Sequence, residues 1–406
     1  MGTNGMETAI KGTDVLVIGG GIVGCSTAYF LGKFGIKVTL LERGEVAGEA
    51  SGLNAGSIGA LGWGNTPRLQ EHLTMGSLEI FRQLELDMGY DIEFRQSGSI
   101  SAIHNDAQYE YALQRIASLR AGGFSTELMT PREARAIEPE LNPDLPGYLY
   151  SPLRGQADPI KTTRALADAA VACGAVVITR AAAKHVTYTG SSWIVKTQEQ
   201  SYKSEALIIA TGAWTASIGE MLGLRIPVVP VRGQMWATES VPPRIFHTIS
   251  SMESSHFWNH NPVIDDTSPP ELTHDGSERV TRHLYGRQRG NGEIIFGGDR
   301  ELLGFDRGTD FAGIETNKGH ATEVLPVLSD LSVNRTWSGL MPFSQDGNPI
   351  IGRVPGRDKL FIVTGLCSSG FGRGPSAGQL VADLVSRDEA HPTLLESDPS
   401  RCITEL

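Results

Sequence analysis

The 406-residue chain has no apolar run approaching the roughly 18 residues of a membrane-spanning helix. Its first dozen residues lack the apolar middle of a secretory signal, so residues 1–12 read as a flexible lead-in. Cysteine is scarce: Cys25, Cys173, Cys367 and Cys402 are scattered, with no CxxC pair and no zinc spacing. That excludes a disulfide framework and points to free thiols in a reducing, cytoplasmic setting. Positive charge is also short, 35 Lys and Arg against 46 Asp and Glu, for a net charge of −11. A nucleic-acid partner, whose phosphates reward a basic face, is therefore not expected. Lysine disappears altogether between Ser204 and Asn317. No metal site is expected either. His256 and His260 stand four apart, but no acid follows His256 and Pro262 breaks a continuing helix.

What the chain does have is length enough for two domains and a strongly patterned front end. Residues 15–18 are an apolar strand. Gly19, Gly21 and Gly24 follow at the spacing of a dinucleotide-binding turn that opens a helix. Gly19 permits the turn, Gly21 leaves the backbone open to a pyrophosphate, and Gly24 lets the helix pack close to the sheet. Phosphates then sit on the free N–H groups of a helix running to about Phe34, which Gly35 stops. A second strand, residues 37–41, ends in Glu42, placed to accept hydrogen bonds from an adenosine ribose. This unit alone does not separate NAD from FAD.

A glycine- and alanine-rich passage, residues 48–64, comes next and suggests close approach of another surface to the backbone. Apolar spacing predicts helices over residues 67–88 and 107–121, and Thr130, Pro131 and Glu133 form a helix start. A helix from Asp158-Pro159 to Cys173 precedes short strands at residues 176–179, 193–197 and 202–210. Between Ile226 and Asn334 prolines cluster and strand-like pieces alternate with turns, including a hairpin around Gly290-Asn291-Gly292. Residues 265–277 read as a mobile polar loop. A strand at 360–364, a glycine-rich loop at 365–374 and a helix at 375–385 return to the opening style.

The expected fold is thus α/β, with a discontinuous Rossmann-like domain from residues 13–93, 156–223 and 336–390. A second, α+β domain on a mainly antiparallel sheet takes residues 94–155 and 224–335, and residues 1–12 and 391–406 are tails.

Four passages in order carry a family likeness. They are the Gly19 to Gly24 turn with Glu42-Arg43, Ala210-Thr211-Gly212-Ala213-Trp214, Pro230-Val231-Arg232-Gly233-Gln234, and a C-terminal run. That run reads Trp337-Ser338-Gly339-Leu340-Met341-Pro342, then Asp346-Gly347-Asn348-Pro349-Ile350-Ile351-Gly352, then Thr364-Gly365 to Gly370. With these the chain resembles the D-amino acid oxidase superfamily of FAD enzymes, in a layout similar to glycine oxidase and sarcosine oxidase.

The resemblance implies FAD as cofactor. It places the pyrophosphate on Gly19, Gly21, Ile22, Val23 and Gly24, the ribose on Glu42 beside Arg43, and adenine near Ala183. It runs Ser51, Asn54, Ala55, Gly56 and Ser57 along the cofactor, with Thr211, Gly212, Trp214 and Gly339 nearby. Cys367, Ser368, Ser369, Gly370, Phe371 and Gly372 bring backbone N–H groups to the flavin's pyrimidine end, where reduction puts negative charge. It also implies hydride transfer from the carbon beside an amine nitrogen to flavin N5, hydrolysis of the imine, and delivery of electrons to oxygen or another acceptor. The partners implied are a small amine or amino acid and that acceptor.

Two departures bear on the substrate. The glycine oxidase and D-amino acid oxidase branches carry a carboxylate-clamping arginine where this chain has Met341, so a simple α-amino acid loses an anchor. Arg287, Arg289 and Arg232 are the candidate replacements, each also readable as a salt-bridge residue. The oxygen-activating lysine of the sarcosine oxidase branch has no counterpart in the lysine-free stretch. This leaves a dehydrogenase or an electron-transfer subunit of a complex as the alternative. Tyr285 and His256 are candidate pocket residues beside Met341 and Arg287. Cys367 sits in the flavin-facing loop, where a packing role competes with a covalent one.

Overall fold

The computed structural model describes residues 10–61, 66–261 and 268–406. Most of the lead-in, residues 62–64 of the glycine-rich passage, Pro262 and the start of the 265–277 loop lie outside the described residues. No helix among the described residues is long and apolar enough to cross a membrane.

Among the described residues, two eight-stranded sheets organise the fold. The first has the order Ile350–Arg353, Leu360–Thr364, Ser201–Ile209, Lys11–Ile18, Val38–Leu41, Val176–Ile178. Every neighbouring pair from Leu360–Thr364 to Val176–Ile178 is parallel, and the Ile350–Arg353 edge is antiparallel. Such a sheet must be covered on both faces, and the carboxyl halves of its central strands are apolar for that reason: Val15, Leu16, Val17 and Ile18, and Leu207, Ile208 and Ile209, are all buried. Helices Ile22–Lys33, Pro159–Ala172 and Gly370–Arg387 cover one face.

The second sheet runs Val333–Ser344, Val228–Ser240, Glu293–Gly297, Tyr285–Gln288, Thr248–Ser251, Ser99–Ile103, Gly147–Ser151, Glu127–Met129. All its pairs are antiparallel except Thr248–Ser251 with Ser99–Ile103. The helix at Pro131–Ile137 has the capping box read from Thr130 and Glu133, with both reciprocal hydrogen bonds present.

Several boundaries differ from the sequence reading. The first strand begins at Lys11, inside the stretch read as a lead-in, because Lys11 and Gly12 pair with Tyr202 and Lys203. The last helix begins at Gly370, so the glycine-rich loop is shorter than 365–374 and Pro375 lies inside the helix. Tertiary packing overrides the helix-breaking residue. Ser26 donates its hydroxyl to the Pro375 carbonyl at 2.6 Å, and a side chain at Gly378 would come within 2.7 Å of the Val23 carbonyl oxygen. Residues 391–406, read as a tail, pack on the body: Leu394 and Ile403 are buried, and Thr404–Glu405 pairs with Leu224–Arg225.

Candidate cofactor and substrate site

A single cavity of about 1350 Å³ runs from the carboxyl ends of the parallel strands to the face of the antiparallel sheet. It exceeds the roughly 300–1,000 Å³ of an ordinary small-molecule pocket, leaving room for a dinucleotide and a second molecule.

At the first end the opening glycines are dictated by backbone contacts. A Cβ at Gly19 (φ +118°) would sit 2.2 Å from the Ala210 carbonyl oxygen, and one at Gly24 would sit 1.9 Å from the Gly19 carbonyl oxygen. Thus the turn and the strand ending at Ile209 are locked together, which brings Ala210, Thr211, Gly212 and Trp214 to the cavity wall. Helix Ile22–Lys33 has Gly21 at its N-cap, a residue with no side chain to cap it. Ser51 accepts the Ile22 N–H at 3.0 Å.

Glu42 is buried, and its two oxygens accept the N–H groups of Gly20 and Gly44, each at 2.6 Å. The carboxylate is thereby held against the cavity with lone pairs left for a diol. The Arg43 guanidinium lies 3.5 Å over the Trp214 ring, which stacks on Phe305, and Arg43 also pairs with Glu49. Ala183 lines the same end.

Further along, the Asn54 side chain shapes its own loop, donating to the Ala50 carbonyl at 2.9 Å and accepting the Gly56 N–H at 2.8 Å. Asn54 and Ser57 line the cavity with Gly339, Cys367, Ser368, Ser369, Gly370, Phe371 and Gly372. Residues Cys367–Ser369 form a short turn leading into helix Gly370–Arg387, whose N-cap, Ser369, makes no side-chain cap. Two helix N-termini that take no cap from their own N-cap residues therefore face one cavity, with backbone N–H groups beyond the Ile22 N–H still in need of acceptors. This donor set fits the phosphates and the electron-rich pyrimidine edge of a flavin dinucleotide. Burial and the charge of Glu271 push the Cys367 thiol up to about 12, so it stays protonated, consistent with packing.

Three proposed cofactor residues do not line the cavity. Gly24 lies behind the turn. Ala55 packs with Met235, Ala237 and Ile295, and a Cβ at Gly56 would fall 2.0 Å from the Ala157 carbonyl oxygen.

The second end is built from side chains. Ser101, Ser250, Tyr285 and Met341 project from strands, Trp258 from helix Glu253–His260, and His283, Arg300 and Phe343 complete the wall. Arg300 is the organiser. It bonds Glu271 at 2.8 Å, donates to His283 Nε2 at 3.2 Å, and lies 4.3 Å over the Trp258 ring. His283 Nδ1 is 2.6 Å from the Ser254 hydroxyl. Burial, and then the Arg300 charge, hold His283 well below its ordinary value, so the ring is neutral. Burial raises Tyr285, which remains a phenol.

Of the residues proposed for the substrate, Tyr285 and Met341 line this chamber, whereas Arg287 and His256 do not. Arg287 shares the sheet face of Tyr285 but stands two residues on, under the 54–57 and 156–158 segments. There it donates to the Ala55 carbonyl and, at 3.2 Å, to the Ala157 carbonyl. It satisfies buried backbone and is not open to a ligand. His256 packs against Tyr111 and His260. Arg289 is bound to Asp158 at 2.9 Å and Glu293 at 2.8 Å, and Arg232 to Glu301 at 2.8 Å and Asp310 at 3.0 Å. Neither is available as a carboxylate clamp. Among the described residues no group of three or more His, Cys, Asp or Glu could hold a metal. Sequence reasoning missed Arg300 and His283, which carry no local motif.

The comparisons agree with this geometry. Glycine oxidase of Geobacillus kaustophilus is 26% identical over 381 residues, covering 93% of each chain, and its crystal structure superposes with a TM-score of 0.83 over 96% of this chain and 99% of that one. Sarcosine oxidase subunit beta of Arthrobacter sp is 26% identical, covering 94% of this chain and 89% of the relative. The L-proline dehydrogenase structure from P. horikoshii is 25% identical with a TM-score of 0.82, covering 97% and 98%. The DAO family description, FAD dependent oxidoreductase, matches residues 14–384. With the motifs, the two-sheet fold and the donor-lined cavity in agreement, this chain belongs to the DAO family of FAD-dependent oxidoreductases.

Proposed function

We propose that the protein oxidises the C–N bond of a small amine or amino acid with FAD. The observation that supports it best is the continuity of one cavity from the two helix N-termini to the Tyr285, His283 and Arg300 wall. The glycine oxidase and sarcosine oxidase relatives support the same chemistry. Bound FAD supplies a hydride acceptor at N5, after which the imine is hydrolysed in water and the electrons pass to oxygen or another acceptor.

In this reading residues 13–93, 156–223 and 336–390 hold the cofactor and residues 94–155 and 224–335 face the substrate. Glu42 holds the ribose, the N–H groups of residues 21–23 hold the pyrophosphate, and the residue 367–372 donors stabilise charge at the pyrimidine end. The neutral His283 adds no positive charge beside the substrate nitrogen, which favours an uncharged, hydride-donating amine. Trp258, Met341 and Phe343 exclude water from the reacting carbon. Positioning, not proton transfer, carries the rate. We place the enzyme in the cytoplasm.

The test is anaerobic addition of primary, secondary and tertiary amines to the FAD-loaded protein. Bleaching of the flavin by at least one of them is expected; a flavin that no amine or amino acid bleaches contradicts the reading. A second reading, a dehydrogenase or an electron-transfer subunit of a complex, is favoured by one observation. No lysine lines the cavity among the described residues. Peroxide release by the isolated chain in air, at the rate of flavin reduction, would exclude it.

A further inference from the structure

The substrate chamber holds a charge that nothing on the protein balances. Arg154 lies in the turn between strands Gly147–Ser151 and Gly155–Gln156 and lines the cavity. Among the described residues its side chain makes no hydrogen bond or ion pair, and its Nε is shielded from solvent with no acceptor. Its charged neighbours are further arginines. Arg373 is buried and spends its donors on neutral oxygens, Thr74 Oγ1 at 3.2 Å, the Ala60 carbonyl at 3.2 Å and Gln70 Oε1 at 3.1 Å. Arg115 donates to the Leu61 carbonyl at 3.1 Å. Burial, then Arg115 and Arg373, pull Arg154 down to about 10, so it is still charged at neutral pH.

The acids lining the cavity are already engaged. Glu49, Glu271, Asp299 and Asp346 pair with other arginines, and Glu42 accepts backbone N–H groups. Arg154 is half-buried, with only its Nε shielded, and a guanidinium with free donors matches a carboxylate in two-point geometry. The turn that carries Arg154 follows strand Gly147–Ser151, which pairs with Ser99–Ile103 in the antiparallel sheet, and Arg154 and His283 line the same cavity, which puts it at the substrate end. The pyrophosphate cradle at Gly19 and Ser51 belongs to the other sheet.

We infer that Arg154, reinforced by Arg115, anchors a substrate carboxylate, so that the substrate is a carboxylate-bearing amine whose anchor has moved from position 341 to the 151–155 turn. The inference rests on the amine-oxidising reading above. It also removes the difficulty raised by Met341, since the anchor is supplied from a different strand.

The test uses propionate and its neutral isostere propionamide, titrated into the FAD-loaded protein while the visible flavin spectrum is followed. Propionate should perturb the spectrum at concentrations at least about tenfold below propionamide. Arg154→Gln should weaken propionate at least about tenfold with FAD content unchanged, and Arg154→Lys, which keeps the charge but not the planar fork, should fall between. Equal binding of propionate and propionamide to the wild type overturns the inference, whatever the variants do. So does an FAD-loaded Arg154→Gln protein that binds propionate within twofold of wild type. The two readings fail separately. Bleaching by uncharged-tail amines with no preference for carboxylates would sink the anchor and leave the oxidation standing. Propionate binding through Arg154 with no bleaching by any amine would do the reverse.

Discussion

The two ends of the cavity are made of different materials. The end proposed for the cofactor is backbone: glycines that admit no side chain, two helix N-termini, and one carboxylate held by main-chain N–H groups. The end proposed for the substrate is side chain: Arg300, His283, Tyr285, Trp258 and Arg154, gathered from separate strands, turns and a helix. Backbone sites depend on local conformation and are intolerant of added atoms. Side-chain sites depend on long-range placement and can exchange one residue for another without changing the fold.

Four substitutions press on that contrast, from the largest expected effect to the smallest. Gly24→Ala places a methyl 1.9 Å from the Gly19 carbonyl oxygen. It should cost at least the roughly 1–3 kcal/mol usual for overpacking and yield colourless or insoluble protein, while Gly12→Ala, with nothing within 4 Å, should match wild type. The ratio of flavin to protein absorbance reads both.

Arg287→Met tests the second end's false candidate. It leaves the Ala55 and Ala157 carbonyls without this donor, at about 1–3 kcal/mol each, so the melting temperature should fall. KM for any substrate found should stay within about twofold in the folded fraction; a large rise in KM with unchanged melting would return Arg287 to the substrate.

Glu42→Gln should weaken FAD by about 10- to 100-fold, because charge-assisted bonds to the ribose are lost and one amide NH₂ meets the Gly20 or Gly44 N–H. Equilibrium titration with FAD measures it, and unchanged affinity contradicts the ribose role.

Glu293→Gln concerns stability alone. Its hydrogen bond to Arg335 leads the causes that hold the carboxylate at about 2, against an ordinary 4.5. A depressed carboxylate contributes stability that is fully present above its unfolded value and lost as pH falls toward the folded one. The melting gap between wild type and variant should therefore be widest at neutral pH and narrow as pH falls through about 4.5 toward 2.

This contrast also explains what could be read from sequence. The turn at Gly19 to Gly24, the acid at the end of the second strand and the Thr211-Gly212 break are local, with spacing set by backbone geometry, so it was legible in the sequence that Gly19, Gly21, Glu42, Thr211 and Gly212 line the cavity. The antiparallel sheet was visible as proline-punctuated alternation. Arg287 was misassigned because strand periodicity places it on the face of Tyr285, but cannot say that the 54–57 segment covers that part of the face. Arg300, His283 and Arg154 were missed because each acts through neighbours distant in sequence. Pro375 misled in the opposite direction, since a helix packed on two others outweighs one missing N–H.

The most direct measurement is anaerobic reduction of the FAD-loaded protein by matched pairs of small molecules, one bearing an amine and the other a hydroxyl on the same carbon, each with a carboxylate. The account predicts that at least one amine bleaches the flavin while its hydroxyl twin does not. Bleaching by the hydroxy acids alone would contradict it.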